Sequence, residues 1–425
     1  MKKLLLFTFA ASVLAAITGC DVHMFNSSGG WSDADLKVVT NVVQTAGIPA
    51  SLKGLEVDNR FGTVHITGTD NGTTGWTWKL AVRARTDSAA QQIASGASCK
   101  TERDGDHLKL VVSLPDSKEP HSIRSDFEIS VPKSASVHAQ NRFGRTEIAD
   151  VAGDVEAMNQ NGRLEIRNIG GSVFARTSFD TLTVSNTGRA TLKNQNGEIL
   201  AAGIDGPLEA STSFASLLAQ DIHGRASLAN QNGKIKATGI GGPLEAKTSF
   251  DSLIARDIGG PVRLRDQNGG IKIVQARGDA DIETSFDSLT VEGIQGDAIL
   301  MNQNGGVIAS GITGSVKAST SFAAMEVTGA GSKFVCHNQN GAIRLRATSI
   351  ALTNIEANTS FDTLEVHLPA GLNPAIQART SFANVESDFP VLMKPRGEDP
   401  FADIAPETAR ITLRNQNGKI GVVRD

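Results

Sequence analysis

Between Asn159 and Thr359 two short signatures alternate along the chain. Asn-Gln-Asn-Gly begins at Asn159, Asn194, Asn230, Asn302 and Asn338, with an Asp-Gln-Asn-Gly variant at Asp266. Thr-Ser-Phe begins at Thr177, Thr212, Thr248, Thr284, Thr320 and Thr359. Successive starts lie 18 residues apart, with one step of 17 and a last step of 21. A period this short admits few folds. One unit is too small to bury a core of its own, so the units must stack and share one.

A single unit reads as strand and corner. In the coil starting at Asn230, inward and outward residues alternate in Ile235-Lys236-Ala237 and again in Leu244-Glu245-Ala246, with Gly239-Ile240-Gly241-Gly242 between them. Period-two alternation marks a strand with one buried face, and the glycines supply the bends. Each coil therefore holds two or three short strands, with no room for a helix. The sixth position is apolar throughout: Leu164, Ile199, Ile235, Ile271, Val307 and Ile343 in one set of coils, Leu182, Leu217, Leu253, Leu289, Met325 and Leu364 in the other. Stacked about 4.8 Å apart, these rows form in-register parallel ladders. The expected fold is all-β: a parallel β-solenoid, a single-stranded β-helix of about 18-residue coils. Fifteen coil starts from Asn141 to Asn415 give a rod on the order of 70 Å long.

The alternation suggests a true unit of two coils. Two residues before most Thr-Ser-Phe sites stands Ala (Ala175, Ala210, Ala246, Ala318), and two before most Asn-Gln-Asn-Gly sites stands Leu (Leu192, Leu228, Leu264, Leu300). Small Ala is thus followed by bulky Phe (Phe179, Phe214, Phe250, Phe322) and bulky Leu by smaller Asn (Asn196, Asn232, Asn268, Asn304). On this reading Phe and Asn occupy inward or corner positions and trade volume between neighbouring coils; Ile282 breaks the pattern.

The ends depart from the repeat. Residues 1–19 are a basic start, an apolar run from Leu4 to Ala16, and Ile17-Thr18-Gly19 before Cys20. That is a secretory signal, too short to span a membrane. Its ending resembles a bacterial lipoprotein signal, which implies cleavage before Cys20 and lipid on that residue; an ordinary signal peptide with an incidental Cys is the alternative. Residues 20–50 are expected to be the lipidated Cys20 and a flexible tether. Residues 51–140 are read as an N-terminal cap, since an open solenoid end exposes apolar surface and unpaired strand edges. This segment carries strand-like Trp76–Ala84, an Ala-rich helix candidate at Ser88–Ala97 and a hairpin signal at Asp104-Gly105-Asp106. A separate ligand-binding domain is the other reading of it. Residues 141–425 are the solenoid, with a Pro-containing loop insertion at 389–407. There the alternation lapses: Thr-Ser-Phe at Thr380 follows Thr-Ser-Phe at Thr359, and a last Asn-Gln-Asn-Gly stands at Asn415.

Leu-Glu-Val-Asp-Asn-Arg-Phe-Gly-Thr-Val-His-Ile at Leu55–Ile66 comes before the Ala-rich segment. That segment leads to Asp-Gly-Asp-His-Leu-Lys-Leu, then Ile-Ser-Val-Pro at Ile129–Pro132, then coils with Gly-x-Ile/Val. This series resembles the bacterial adhesin-like proteins of the DUF4097 type. The resemblance implies a β-solenoid, right-handed, and brings no catalytic residues.

Searching for chemistry narrows the classes further. The eight His show no metal-ligand spacing, and no Gly-x-Ser-x-Gly or phosphate-binding loop occurs. The Ser of Thr-Ser-Phe repeats, as a structural position does, whereas a nucleophile needs one copy beside a base. The Asp after Phe (Asp180, Asp251, Asp287, Asp362) recurs only every second coil, roughly 9–10 Å apart, too far to share one Ca²⁺; it reads as a turn residue. Cys336 replaces a core Leu, and Cys99 lies in the cap. Net charge of −4 without a long basic run argues against nucleic acid. The expected role is non-enzymatic: a cell-envelope rod, periplasmic or surface-exposed, held to a membrane through lipid on Cys20. It would act as an adhesin-like binder of glycan or protein, or as a structural scaffold, with no cofactor and no metal site. The rival readings are a β-helix lyase or hydrolase acting on polysaccharide, and a periplasmic sensor or scaffold.

Overall fold

The computed structural model describes residues 36, 38–70, 72–392, 401, 404, 405 and 408–425. Cys20, the signal segment and most of the tether and of the 389–407 loop lie outside them. Each coil contributes one strand to each of two parallel ladders. On one ladder Leu164–Thr177 pairs with Leu182–Asn194, which pairs with Ile199–Ile204, and the series continues in strict register: Leu182↔Ile199, Ile199↔Leu217, Leu217↔Ile235. On the other ladder Leu208–Thr212, Ala226–Asn230 and Leu244–Thr248 follow one another in the same way. The architecture is the parallel β-solenoid that the period dictates. The apolar rows form a continuous core, with Leu164, Leu182, Ile199, Leu217, Ile235 and Leu253 fully buried. Each coil closes its neighbour's core, so burial is shared along the axis.

The corners follow from backbone chemistry. Each coil from Asp150 to Gly311 carries one residue in the left-handed region, from Gly203 onward the last but one of its first strand. In order these are Asp150, Asn168, Asn186, Gly203, Asp221, Gly239, Asp257, Gln275, Gly293 and Gly311. Gly, Asn and Asp tolerate that conformation; Gln275, at φ 64°, is the one occupant with no such excuse. At the opposite corner the Gly of Asn-Gln-Asn-Gly is required for another reason. A Cβ on Gly197, Gly233, Gly305 or Gly341 would sit inside van der Waals contact with a backbone oxygen of the preceding coil.

The first coil lies far earlier in the chain than the regular repeats. Gly54–Phe61 and Val64–Thr69 stack directly on Ser136–Phe143 and Thr146–Ala149, with Asn59 over Asn141 and Phe61 stacked on Phe143 at 5.5 Å. The residues between these coils, with Val38–Gly47 ahead of them, close this end. His107–Ser113 and His121–Pro132 add one more parallel layer, and then Ser98–Asp104, Gly75–Ala84 and Val38–Gly47 continue antiparallel. The helix Asp87–Gly96, capped by Thr86 Oγ1 accepting from Ala89 N, buries Ala90, Ile93 and Ala94. Buried Trp78 ties cap to coil by donating from Nε1 to Ser125 Oγ at 2.7 Å, while Ser125 donates to Asn59 Oδ1 at 2.8 Å.

The other end is not in chain order. Arg410–Asn415 lies between Asn354–Thr359 and Ala375–Arg379, and Ile420–Arg424 lies between Leu364–Leu368 and Val385–Ser387. The last coil in sequence is therefore the last but one in space. The order along the axis becomes Thr359, Asn415, Thr380, which restores the alternation that lapses in the sequence.

Candidate functional site

Why the two signatures must alternate is visible at the corner they form. The first residue of each points inward, and these residues build one buried polar column: Asn141, Asn159, Thr177, Asn194, Thr212, Asn230, Thr248 and onward. Asn194 Nδ2 donates to Asp180 O of the coil before at 2.7 Å, and its Oδ1 accepts from Gly197 N at 3.0 Å. Thr212 Oγ1 then donates to Gly197 O at 2.9 Å. Asn230, Asn302, Asn338 and Asn415 repeat the first pattern, and Thr248, Thr284, Thr320 and Thr359 the second. A buried corner carbonyl left without a donor costs about 1–3 kcal/mol, so each signature satisfies the backbone its neighbour exposes.

The Phe residues do not fill the interior, contrary to the volume-trading expectation. Phe179, Phe214, Phe250, Phe286, Phe322 and Phe361 are 61–63% exposed, and Phe382 is 78% exposed. Strand parity counted from Thr would turn Phe inward, but the strands end at Thr177, Thr212, Thr248, Thr284 and Thr320. The next residues round the corner and swing the ring outward. The Asn in the matching position of alternate coils is pinned: Asn196, Asn232 and Asn304 donate from Nδ2 to the preceding coil's Ser carbonyl at 3.1 Å, and Asn268 and Asn417 do so at 2.9 and 3.0 Å. One edge of the rod thus presents Phe every second coil, roughly 9–10 Å apart, with a fixed amide between.

Beside this edge, in the C-terminal half, runs a groove of about 710 Å³. One wall is the residue before each buried Thr or Asn: Glu283, Met301, Ser319, His337, Asn358 and Arg414. The other is the residue after it: Gln303, Ser321, Gln339 and Ser360, each followed in the chain by an edge Asn or Phe. Glu283 is held at the groove's beginning by Arg265, which also bonds Asp281 Oδ2 at 2.7 Å. The groove crosses coils in axial order, a length of roughly 24 Å. Its lining is mostly amide and hydroxyl, and Glu283 is the one carboxylate among the lining residues.

The other expected positions are structural. Asp180, Asp251, Asp287 and Asp362 each accept from the next backbone N–H at 2.6 Å, as turn residues do. Burial pushes the Cys336 thiol up to about 12 and the Cys99 thiol to about 11, and both are free. Such thiols are poor nucleophiles. Among the described residues no three His, Cys, Asp or Glu converge as metal ligands, and no helix is long and apolar enough to cross a membrane. Asn141 and Asn159 leave a buried Oδ1 without a partner, and Asp266 breaks the column in another way. Asp266 replaces Asn; its Oδ1 accepts from Gly269 N at 3.0 Å, while its buried Oδ2 has no partner. Desolvation foremost, with the nearby Asp251 carboxylate adding to it, holds its pKa above the usual carboxylate range against opposing backbone hydrogen bonds.

No family model and no curated protein matches this chain. Three solved structures are similar to it at low identity. A "putative adhesin" of Bacteroides fragilis is 13% identical with a TM-score of 0.31, over 58% of this chain and 97% of that one. A "putative cell adhesion protein" of Clostridium sporogenes is 9% identical with a TM-score of 0.16, over 91% and 100%. A third, a "putative adhesin" of Parabacteroides distasonis, is 11% identical with a TM-score of 0.18, over 90% and 97%.

Proposed function

We propose that this chain is an exported, non-enzymatic rod of the bacterial cell envelope, anchored by lipid on Cys20, that works by binding along its length in the manner of an adhesin. The observation that carries this reading is the row of exposed Phe along one edge. Seven large apolar side chains held in water, at one position in alternate coils, have no role in the core. Exposed apolar arrays rimmed by polar residues are characteristic of interaction surfaces. The lining of the adjacent groove supports a binding role over hydrolysis, because a glycosidase needs two carboxylates flanking the bond and this groove offers Glu283 alone. Rigidity is what the stacked coils contribute: a binding edge roughly 58 Å long, from Phe179 to Phe382, that does not bend away from its ligand.

Protease treatment of intact against lysed cells tests this, with Cys20→Ala as control. Digestion on intact cells and release of the variant into the medium are the expected results. Protection until lysis would remove the adhesin role and leave a periplasmic scaffold. Unchanged membrane attachment of Cys20→Ala would refute the lipid anchor.

A further inference from the structure

We infer that the groove and the Phe edge beside it bind a neutral, extended β-1,4-linked polysaccharide lying parallel to the rod axis; this rests on the binding reading above and names its ligand class. Three observations converge. The first is chemical: the groove walls are Gln303, Gln339, Ser319, Ser321 and Asn358, groups that both donate to and accept from hydroxyls. Its charges are few and of both signs, Glu283 against Arg414, which suits an uncharged ligand better than an acidic or basic one. The second is geometric: the groove runs along the axis across successive coils, so it is shaped for a linear chain and not for a compact molecule. The third is the period. Successive sugars in an extended β-1,4 chain are turned over, so the same face recurs every second sugar. That two-sugar advance, roughly 10 Å, is close to the two-coil advance that separates Phe286, Phe322 and Phe361. Those rings can each meet an apolar C–H face, while Asn304, pinned to Ser285 O, and Asn340 stand opposite the alternate sugars.

The test is calorimetric titration of the whole exported chain carrying Cys20→Ala. The probes are β-1,4-linked glucose and β-1,4-linked N-acetylglucosamine, each as dimer and hexamer. The expected result is binding of a hexamer about ten-fold or more tighter than its dimer, since the groove spans several sugars. Phe322→Ala with Phe361→Ala should weaken hexamer binding about ten-fold without changing the melting temperature, because both rings are exposed. Ile308→Ala with Ile350→Ala, exposed apolar residues off the Phe edge and outside the groove lining, should leave it unchanged. Failure of both hexamers to bind, or equal binding by the two double variants, overturns the inference. So does a dimer of the chain, seen by sedimentation, that Phe322→Ala with Phe361→Ala dissolves, because the edge would then be covered by a second copy. Binding to crude cell-envelope fragments separates the two levels. Retention on fragments without hexamer binding removes the ligand class and leaves the binding function. Retention on neither removes both.

Discussion

Asp266→Asn should stabilise the rod, and the gain should grow with pH. Every other Asn-type coil from Asn194 onward donates from Nδ2 to the carbonyl of the coil before, at 2.6–2.8 Å. At Asp266 the equivalent atom is an acceptor, Oδ2, buried and unpartnered in a residue that is 4% exposed. Restoring the amide adds one hydrogen bond and removes an uncompensated acceptor, together worth about 1–3 kcal/mol. The pH dependence follows from proton binding. The folded pKa of Asp266 is raised above its ordinary value of 3.8, so between those values the native state holds more protons than the unfolded chain. Stability therefore falls as pH rises through that window. Below it the protonated carboxyl can donate much as the amide does, so wild type and variant should differ least. Calorimetric melts from pH 3 to 8 should show the difference opening above about pH 4 and reaching a plateau. In a rod of this size 1 kcal/mol moves the melting temperature by roughly 1–2 °C. Amide exchange near Gly269 is the sharper readout, slowing roughly five- to hundred-fold. A pH-independent difference, or a variant less stable than wild type at pH 7, would refute the reasoning.

Gln275→Gly should stabilise by about 0.5–1 kcal/mol, as relief of left-handed strain outweighs the added freedom of the unfolded chain; denaturant melts check this. Gly233→Ala should cost 2 kcal/mol or more, on the order of a backbone rearrangement, because its Cβ meets the carbonyls of Ala215 and Phe214; a melt that matches wild type would refute it. Removing residues 410–425 should unfold Ala375–Arg379 and Val385–Ser387 as well, since both pair with the deleted strands. Limited proteolysis should then cut throughout 370–392 while the coils before Thr359 stay protected.

The period, the strand parity and the apolar rows were legible in the sequence because they are local and repeated. Leu182, Ile199 and Leu217 declare their burial through their spacing alone. The outward turn of Phe179 and its equivalents was not legible. Parity continues on paper past Thr177, and only the position of the corner, set by backbone geometry, ends it. The left-handed corner was hidden because Asp150, Asn168, Gly203 and Gln275 share a φ and no side-chain chemistry. The groove was hidden for a different reason: its walls, such as Ser319, Gln339 and Asn358, come from coils far apart in sequence and meet only through the stacking. The exchanged order at the C-terminal end had left a sign. Two Thr-Ser-Phe coils in succession violate the hydrogen-bond alternation, and the spare Asn-Gln-Asn-Gly at Asn415 is the piece that repairs it.

That exchanged order bears on how the rod is made. A solenoid whose coils stack in chain order can fold from one end as it emerges, each new coil settling on the last. Here growth must stop after Thr359. The coil at 375–387 has no seat until residues 410–425 arrive, settle on the coil that holds Thr359 and offer it their far side. Seating of that coil thus waits until residues 410–425 have been made. A chain cut before Arg410 exposes the open apolar end at Thr359 and trails the unseated coil behind it, a form that proteases can recognise.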